Sequence, residues 1–173
     1  EYEHAVKRGA TIYAEVVGGG MAADAYHLTG THPEGEGAVL GMEEAMREAG
    51  ITADKIDYIN MHATSTPLGD KSELIAAERV FGKNPNLTIS ATKSMTGHLL
   101  GAAGAIEGIA CILALKDGMV PPTINTTEIE PEYKDNYHFP MGKAVAKDLK
   151  YAMSNTFGFG GHIASVLFKK FED

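Results

Sequence analysis

Three stretches of this chain carry the residue types that could do chemistry. The densest is Thr92-Lys93-Ser94-Met95-Thr96-Gly97-His98, which passes into the small-residue run Gly101-Ala102-Ala103-Gly104. A β-rich segment, Leu87 to Ser90, leads into it. Strand, tight turn and helix start together would aim an ammonium and an imidazole at one point, with little solvent around either. Such a pair can steady developing negative charge or move a proton. The plainer alternative is an ordinary strand-to-helix connection with a buried histidine.

A second histidine, His62, directly follows Tyr58 to Met61, a short apolar run that reads as a buried strand. Ala63-Thr64-Ser65-Thr66-Pro67 comes next, and its hydroxyls could hydrogen-bond an extended polar ligand. Ligand sites in open α/β sheets gather just beyond strand ends. The third stretch is Asn155-Thr156-Phe157-Gly158-Phe159-Gly160-Gly161-His162, read as a glycine-rich loop over 156–162. Its rings could cover an apolar tunnel. A dinucleotide-binding fingerprint requires a helix after the glycines, and here the β-rich run Ile163 to Lys170 follows instead.

The elements that must position these residues follow from patterning. Thr11 to Val17 reads as a strand that ends in a bulge or bend at Gly18-Gly19-Gly20, with a loop over 21–33. Val39, Met42, Met46 and Ala49 recur at helical spacing, which predicts a helix over 36–49 stopped by Gly50. Further helices are predicted over Asp70 to Phe81 and from about Leu99 to Lys116, the second of them buried. Residues 126–148 read as a polar surface excursion, and Tyr151 to Asn155 as a strand. Strands alternating with helices make the chain α/β.

The whole-chain properties exclude several function classes. The 173 residues carry a net charge of −8 with no compensating basic cluster, which argues against a nucleic-acid surface. The apolar run Leu99 to Leu115 is too short, and too broken by Glu107 and its glycines, to cross a bilayer. A single cysteine forbids an internal disulfide and fits a reducing, cytoplasmic setting. That cysteine, Cys111, sits among aliphatic residues and reads as a small buried apolar group. His27 and His32 lack a third ligand at metal spacing, so no metal is expected. Glu107 is either a packing partner or the neutraliser of a buried cation, with Lys93 the nearest candidate in sequence. Residues 1–10 resemble the tail of a helix ending at Gly9, as in a segment of a longer chain.

The three stretches, taken in this order, resemble the β-ketoacyl-acyl-carrier-protein synthases, the elongating condensing enzymes of fatty-acid synthesis. The wording Thr-Lys-Ser-Met-Thr-Gly-His-Leu-Leu-Gly-Ala-Ala-Gly looks most like the type II synthases. The resemblance covers essentially all of residues 1–173 and only the C-terminal half of that family's chain. It implies a thiolase-like fold: a five-stranded mixed sheet with helices on both faces. It implies decarboxylative condensation of an acyl thioester with a malonyl thioester on acyl carrier protein, with no cofactor beyond the carrier's phosphopantetheine arm.

By resemblance, His62 and His98 match the catalytic histidines, Lys93 the lysine that orients His98, and Glu107 a buried carboxylate of the same network. Thr64 and Thr66 match hydroxyls that bind the phosphopantetheine arm. The Phe159 N–H matches one member of an oxyanion hole, and its ring the gate of the acyl pocket, with Phe157 beside it. The nucleophilic cysteine of the family lies in the N-terminal half, and Cys111 is not its counterpart, so the residues given are expected to be inactive alone. The implied partners are acyl carrier protein, the N-terminal half and a second copy in a homodimer, and one face of this half is expected to be unusually apolar. A net charge of −8 makes this half a poor docking surface for an acidic carrier. A non-catalytic partner subunit of the chain-length-factor kind, or a folded fragment, is the alternative. Two positions depart from the family: Ala63 stands where glycine is common and Ile163 where asparagine is common. The second removes a polar group beside the glycine-rich loop.

Overall fold

A computed structural model describes residues 1–172. In chain order the elements are α1 (Tyr2–Lys7), β1 (Ala14–Ala23), α2 (Glu36–Ala49), β2 (Tyr58–Asn60), α3 (Pro67–Phe81), β3 (Thr88–Ser90), α4 (Lys93–Thr96), α5 (Ala103–Asp117), β4 (Met119–Val120), β5 (Val145–Ala146), β6 (Tyr151–Gly158) and β7 (His162–Lys170). Five strands form one mixed sheet in the order β1-β7-β6-β2-β3. β7 is antiparallel to both of its neighbours, while β2 is parallel to β6 and to β3. The ends of β2 and β3 therefore lie side by side, and the chain leaves both at the same edge.

Alternate side chains of a strand point to opposite faces, and each face has its own core. Ile59, Met153 and Leu167 pack with Met42 and Ala45 of α2 and Leu74 and Ala77 of α3. Tyr58, Ala152 and Phe168 pack with Cys111, Ala114 and Leu115 of α5. Helices thus cover both faces, and the α/β expectation holds.

Several boundaries move for physical reasons. β1 runs on to Ala23, where a loop was expected over 21–33, because Gly20 to Ala23 pair with Ser165 to His162 of β7. The register breaks between Val16 and Gly18, ahead of the three glycines where a bulge or bend was expected to end the strand, and Gly18, Gly19 and Gly20 are themselves paired. Gly18 and Gly20 let α2 lie directly on the strand: a Cβ on either would fall on a helix carbonyl, Ala45 O or Gly41 O. α3 begins at Pro67 rather than Asp70, with the proline in its first turn, where the missing N–H costs nothing.

The helix expected from Leu99 is broken. The turn α4 ends at Gly97 (φ +71°), a 3₁₀ turn spans Leu100–Ala102, and α5 starts at Ala103. Nor is α5 buried all round, since Ile106, Ile109 and Leu113 are exposed. Met95, Leu99 and Leu100 ahead of it are exposed as well. The 126–148 segment is more than a surface excursion. It buries Tyr133, Asn136 and Tyr137, pairs β5 with β4, and lays His138 along β3 through Ile89 N–H to His138 O (2.9 Å) and His138 N–H to Leu87 O (2.9 Å).

Candidate active site

The three chemistry-bearing stretches converge. His62 follows β2, His98 follows the turn beyond β3, and their rings meet edge to face with centroids 5.4 Å apart. Phe157, from β6, stacks obliquely on the other side of His62 at 5.2 Å. A cavity of about 750 Å³ opens here, lined by both histidines, Thr64, Thr66, Phe157 and Phe159, with Asp24 and Thr31 on its far wall.

The two imidazoles differ in environment. His62 is buried, and burial, then the Lys93 and His98 charges, lower its pKa to about 3. It stays neutral near pH 7, and its buried Nδ1 has no hydrogen-bond partner among the described residues. His98 is exposed, against the expectation of a solvent-poor setting. It sits where the chain leaves the sheet, and its neighbours Leu99 and Leu100 are themselves uncovered. Leu100 N–H donates to His98 Nδ1 at 3.3 Å. That bond assigns the ring proton to Nε2, so His98 presents an Nε2–H donor.

Lys93 is buried and its ammonium pairs with Glu107 Oε1, joining α4 to α5. Glu107 is the neutraliser of a buried cation. Burial pushes its carboxyl above the usual range, and the lysine pulls against that shift. The Lys93 ammonium is thus bonded to Glu107, and the orientation of the His98 ring is set by the Leu100 main chain. Glu107 Oε2 and Ser154 Oγ are buried without hydrogen-bond partners among the described residues. Asn60 at the end of β2 donates from Nδ2 to Thr92 Oγ1 at 2.9 Å, fastening the two strand ends together beneath the site.

The hydroxyl segment is a tight turn. Thr64 Oγ1 and Thr66 Oγ1 are 3.1 Å apart, and Asp70 Oδ1 accepts from the Ser65 and Thr66 N–H groups at 3.1 and 3.3 Å. Three residues that carry a Cβ take positive φ around the histidines: Ala63 (+21°), Ser65 (+64°) and Leu100 (+51°). Such strain concentrates at functional sites.

The glycine-rich stretch is mostly strand. β6 and β7 stay paired up to Gly158 and His162, leaving a tip of Phe159, Gly160 and Gly161. The tip glycines need their freedom, with φ of +86° and +77°. Phe157 is buried in the wall while Phe159 stands 77% exposed at the tip. Loop 24–32 holds the hairpin: Gly160 N–H donates to Leu28 O at 2.7 Å, and Asp24 N–H to Gly161 O at 2.9 Å. Asp24 in turn accepts from Gly37 and His32 N–H. Ile163 packs against Gly37 and Gly41 of α2, so apolar contact stands where the family commonly has an amide.

A family model described as beta-ketoacyl synthase, C-terminal domain, matches residues 13–127. The chain belongs to the beta-ketoacyl synthase family. The matched span holds His62, Lys93, His98 and Glu107. Longer similarities also include the hairpin. The chain is 49% identical to 3-oxoacyl-[acyl-carrier-protein] synthase 2 of Vibrio cholerae over 98% of its own length and 41% of that protein's. It is 50% identical to the Staphylococcus aureus synthase 2 over 98% and 41%. It is 49% identical to the chloroplastic synthase II of Arabidopsis thaliana over 99% and 32%. It therefore spans between about a third and about two fifths of these relatives.

Among solved structures, a beta-ketoacyl synthase from Burkholderia phymatum superposes with a TM-score of 0.92 at 41% identity, over 99% of this chain and 41% of that one. A type II polyketide ketosynthase solved with its acyl-carrier protein superposes at 0.93 and 32% identity, over 99% and 42%. The fold is that of these ketosynthases, thiolase-like.

Sequence reasoning missed one buried group, Glu73. It is 1% exposed and bonds the His62 main chain. The signal was present: Glu73 falls three and four residues before Ala76 and Ala77, on the apolar stripe of α3. Asp24 was read only as part of a loop, and its bonds to residues remote in sequence leave no trace in local patterning. Among the described residues no cluster of His, Cys, Asp and Glu could share a metal ion, and no helix is long and apolar enough to cross a membrane.

Proposed function

We propose that this chain is the C-terminal half of an elongating 3-oxoacyl-acyl-carrier-protein synthase and supplies the decarboxylation side of its active site. The observation that carries this is the His62–His98 pair: two imidazoles edge to face in one cavity, one held neutral and the other with Nε2–H as donor. Loss of carbon dioxide from a malonyl thioester moves the electron pair of the breaking C–C bond into an enolate. The negative charge settles on the thioester oxygen. Two neutral N–H donors meet that charge without the desolvation cost of a buried cation, each worth roughly 3–4 kcal/mol in comparable oxyanion sites.

The enolate carbon then attacks an acyl thioester on a cysteine, forms the new C–C bond and expels the thiolate. Cys111 cannot serve, because it is fully buried, donates to Met153 O, and has its thiol pKa pushed far up by burial. The nucleophile comes from the N-terminal half, which also covers the apolar side of α5. Thr64 and Thr66 hold the phosphopantetheine arm of acyl carrier protein, the Phe159 N–H polarises the acyl thioester, and the Phe159 ring gates the acyl pocket with Phe157 behind it. Lys93 and Glu107 support the electrostatics of the pair. We assign the working enzyme to a homodimer in the cytoplasm or, as in the plant relative, a plastid.

The test is malonyl-thioester decarboxylation by the complete enzyme. His62→Ala and His98→Ala should each lower kcat by about 100-fold while leaving acyl transfer to the cysteine within about threefold. Unchanged decarboxylation sinks the role of the histidines. Absence of a cysteine in a strand-to-helix turn upstream makes the chain part of a non-catalytic partner subunit instead.

A further inference from the structure

The turn that carries Lys93 is too short to hold itself. α4 has four residues, and a single helical turn is unstable alone because it fixes more backbone than its few hydrogen bonds offset. Yet Lys93 must bring a buried ammonium to Glu107, and only Gly97 separates the turn from His98. Two restraints belong to the site already described: Thr92 is bonded to Asn60, and Lys93 to Glu107. A third comes from residues 123–125, which the mechanism above does not use.

Three consecutive residues there each make one bond to the stretch that runs from β3 into α4. The Ala91 N–H donates to Thr123 Oγ1 at 3.0 Å. The Ile124 N–H donates to Ser94 Oγ at 3.0 Å. The Asn125 Nδ2–H donates to Ser94 O at 3.2 Å. The Ser94 hydroxyl gives its own hydrogen to Ala91 O at 2.7 Å, so it is used in both directions. The segment is itself anchored. Thr123 N–H donates to Pro140 O at 2.9 Å, and Gly142 N–H to Thr123 O at 2.8 Å. Pro140 lies just beyond His138, whose main chain runs along β3. The brace therefore continues that edge pairing past the end of the strand.

Asn125 fits its place in two ways. Its φ is +59°, in the left-handed region that asparagine enters more readily than other residues with a Cβ. Its side-chain amide is also a donor aimed at a main-chain carbonyl. Glycine would meet the first demand alone, and aspartate would set a carboxylate against the Ser94 carbonyl.

We propose that Thr123 and Asn125 are positioning residues for the condensing reaction: they lash the one-turn helix α4 to the edge of the sheet and so set where the Lys93 ammonium and the His98 ring stand. Both stand outside the wall of the histidine cavity, so they reach the reaction only through α4. The reaction half of this statement rests on the function proposed above; the brace itself does not.

Kinetics and ¹⁵N-histidine NMR of the complete enzyme test this together. Thr123→Val keeps the shape and removes the acceptor of the Ala91 N–H. Asn125→Gly keeps the backbone conformation and removes the donor to Ser94 O. Each should lower kcat for malonyl-thioester decarboxylation by about 10-fold, the size of one lost hydrogen bond. KM should stay within about twofold and acyl transfer to the cysteine within about threefold, because the loss falls on one half-reaction. Thr123→Ser, which keeps the hydroxyl, should stay within about twofold of the wild type in decarboxylation. In the wild type the His98 ring nitrogens should report one tautomer, with the proton on Nε2. In Asn125→Gly they should move toward the average of the two tautomers as the Leu100 N–H bond loosens. Undiminished decarboxylation in either folded variant, equal loss in both half-reactions, Thr123→Ser as slow as Thr123→Val, or an unchanged His98 ring would overturn the proposal. If Thr123→Val does not fold, Asn125→Gly decides it, since Asn125 is exposed and glycine takes its φ freely. A wild-type enzyme that fails to decarboxylate, while the His98 ring still loosens in Asn125→Gly, refutes the assigned reaction and leaves the brace standing.

Discussion

Lys93 and Glu107 form an ion pair whose side chains are 5% and 1% exposed. The pair fastens the one-turn helix after β3 to α5. Removing one partner leaves a buried charge alone, which typically costs about 3–5 kcal/mol. Lys93→Ala and Glu107→Ala should each lower stability by that amount in urea unfolding. The double variant Lys93→Met with Glu107→Gln should recover most of the loss, because no lone charge remains. Its decarboxylation rate should stay low, separating the structural part of the pair from its electrostatic part.

His62 links the site to pH. Its pKa is lowered from 6.5 to about 3 in the folded chain, so the unfolded chain binds the proton more readily between those values. Stability from this group is fully present above pH 6.5 and is lost as pH falls toward 3. Glu73 acts in the opposite sense. Its pKa is raised from 4.5 to about 7, so its contribution is lost as pH rises through that window. In the wild type the two oppose each other between about pH 4.5 and 6.5. A His62→Gln variant should remove the acid limb and show stability falling steadily with rising pH across that range; denaturant midpoints taken at several pH values would reveal a persistent acid limb if the assignment is wrong.

Close approach of α2 to β1 divides three adjacent glycines into two kinds. Gly18 and Gly20 face helix carbonyls where no Cβ fits, whereas Gly19 has only the Glu48 carboxylate within reach, at 3.7 Å. Gly18→Ala and Gly20→Ala should each destabilise by about 3 kcal/mol or more, since backbone must move. Gly19→Ala should change the melting temperature little. Equal effects at all three positions would contradict the packing.

Ile163 is 3% exposed against Gly37 and Gly41. Replacing it with the asparagine common in the family would bury an amide among apolar atoms. Ile163→Asn should therefore cost about 1–3 kcal/mol, although it restores the family pattern. A compensating pair, Ile163→Asn with Gly41→Ser, supplies a hydroxyl near the amide and should recover part of the loss if hydrogen bonding is what the single variant lacks.

The sequence by itself determined the periodic parts and the local chemistry. Apolar spacing marked α2, a short apolar run marked β2, a β-rich run marked β3, and the types and order of His62, Lys93, His98 and the Phe157–Phe159 stretch marked a site at strand ends. Those signals are local: each depends on residues within a few positions of one another. Tertiary structure decided what depends on distant segments meeting. It extended β1 through Ala23 by pairing it with β7, turned most of the glycine-rich stretch into strand, buried Tyr133 and Tyr137, and left His98 and one side of α5 open. It also placed Glu73 beneath His62, where a carboxylate that patterning assigned to an ordinary helix meets three donors, two from the segment after β2 and one from β6. No window of sequence contains that meeting, because the burial that raises its pKa and the bonds that lower it come from β2 and β6, brought beside α3 only by the folded sheet.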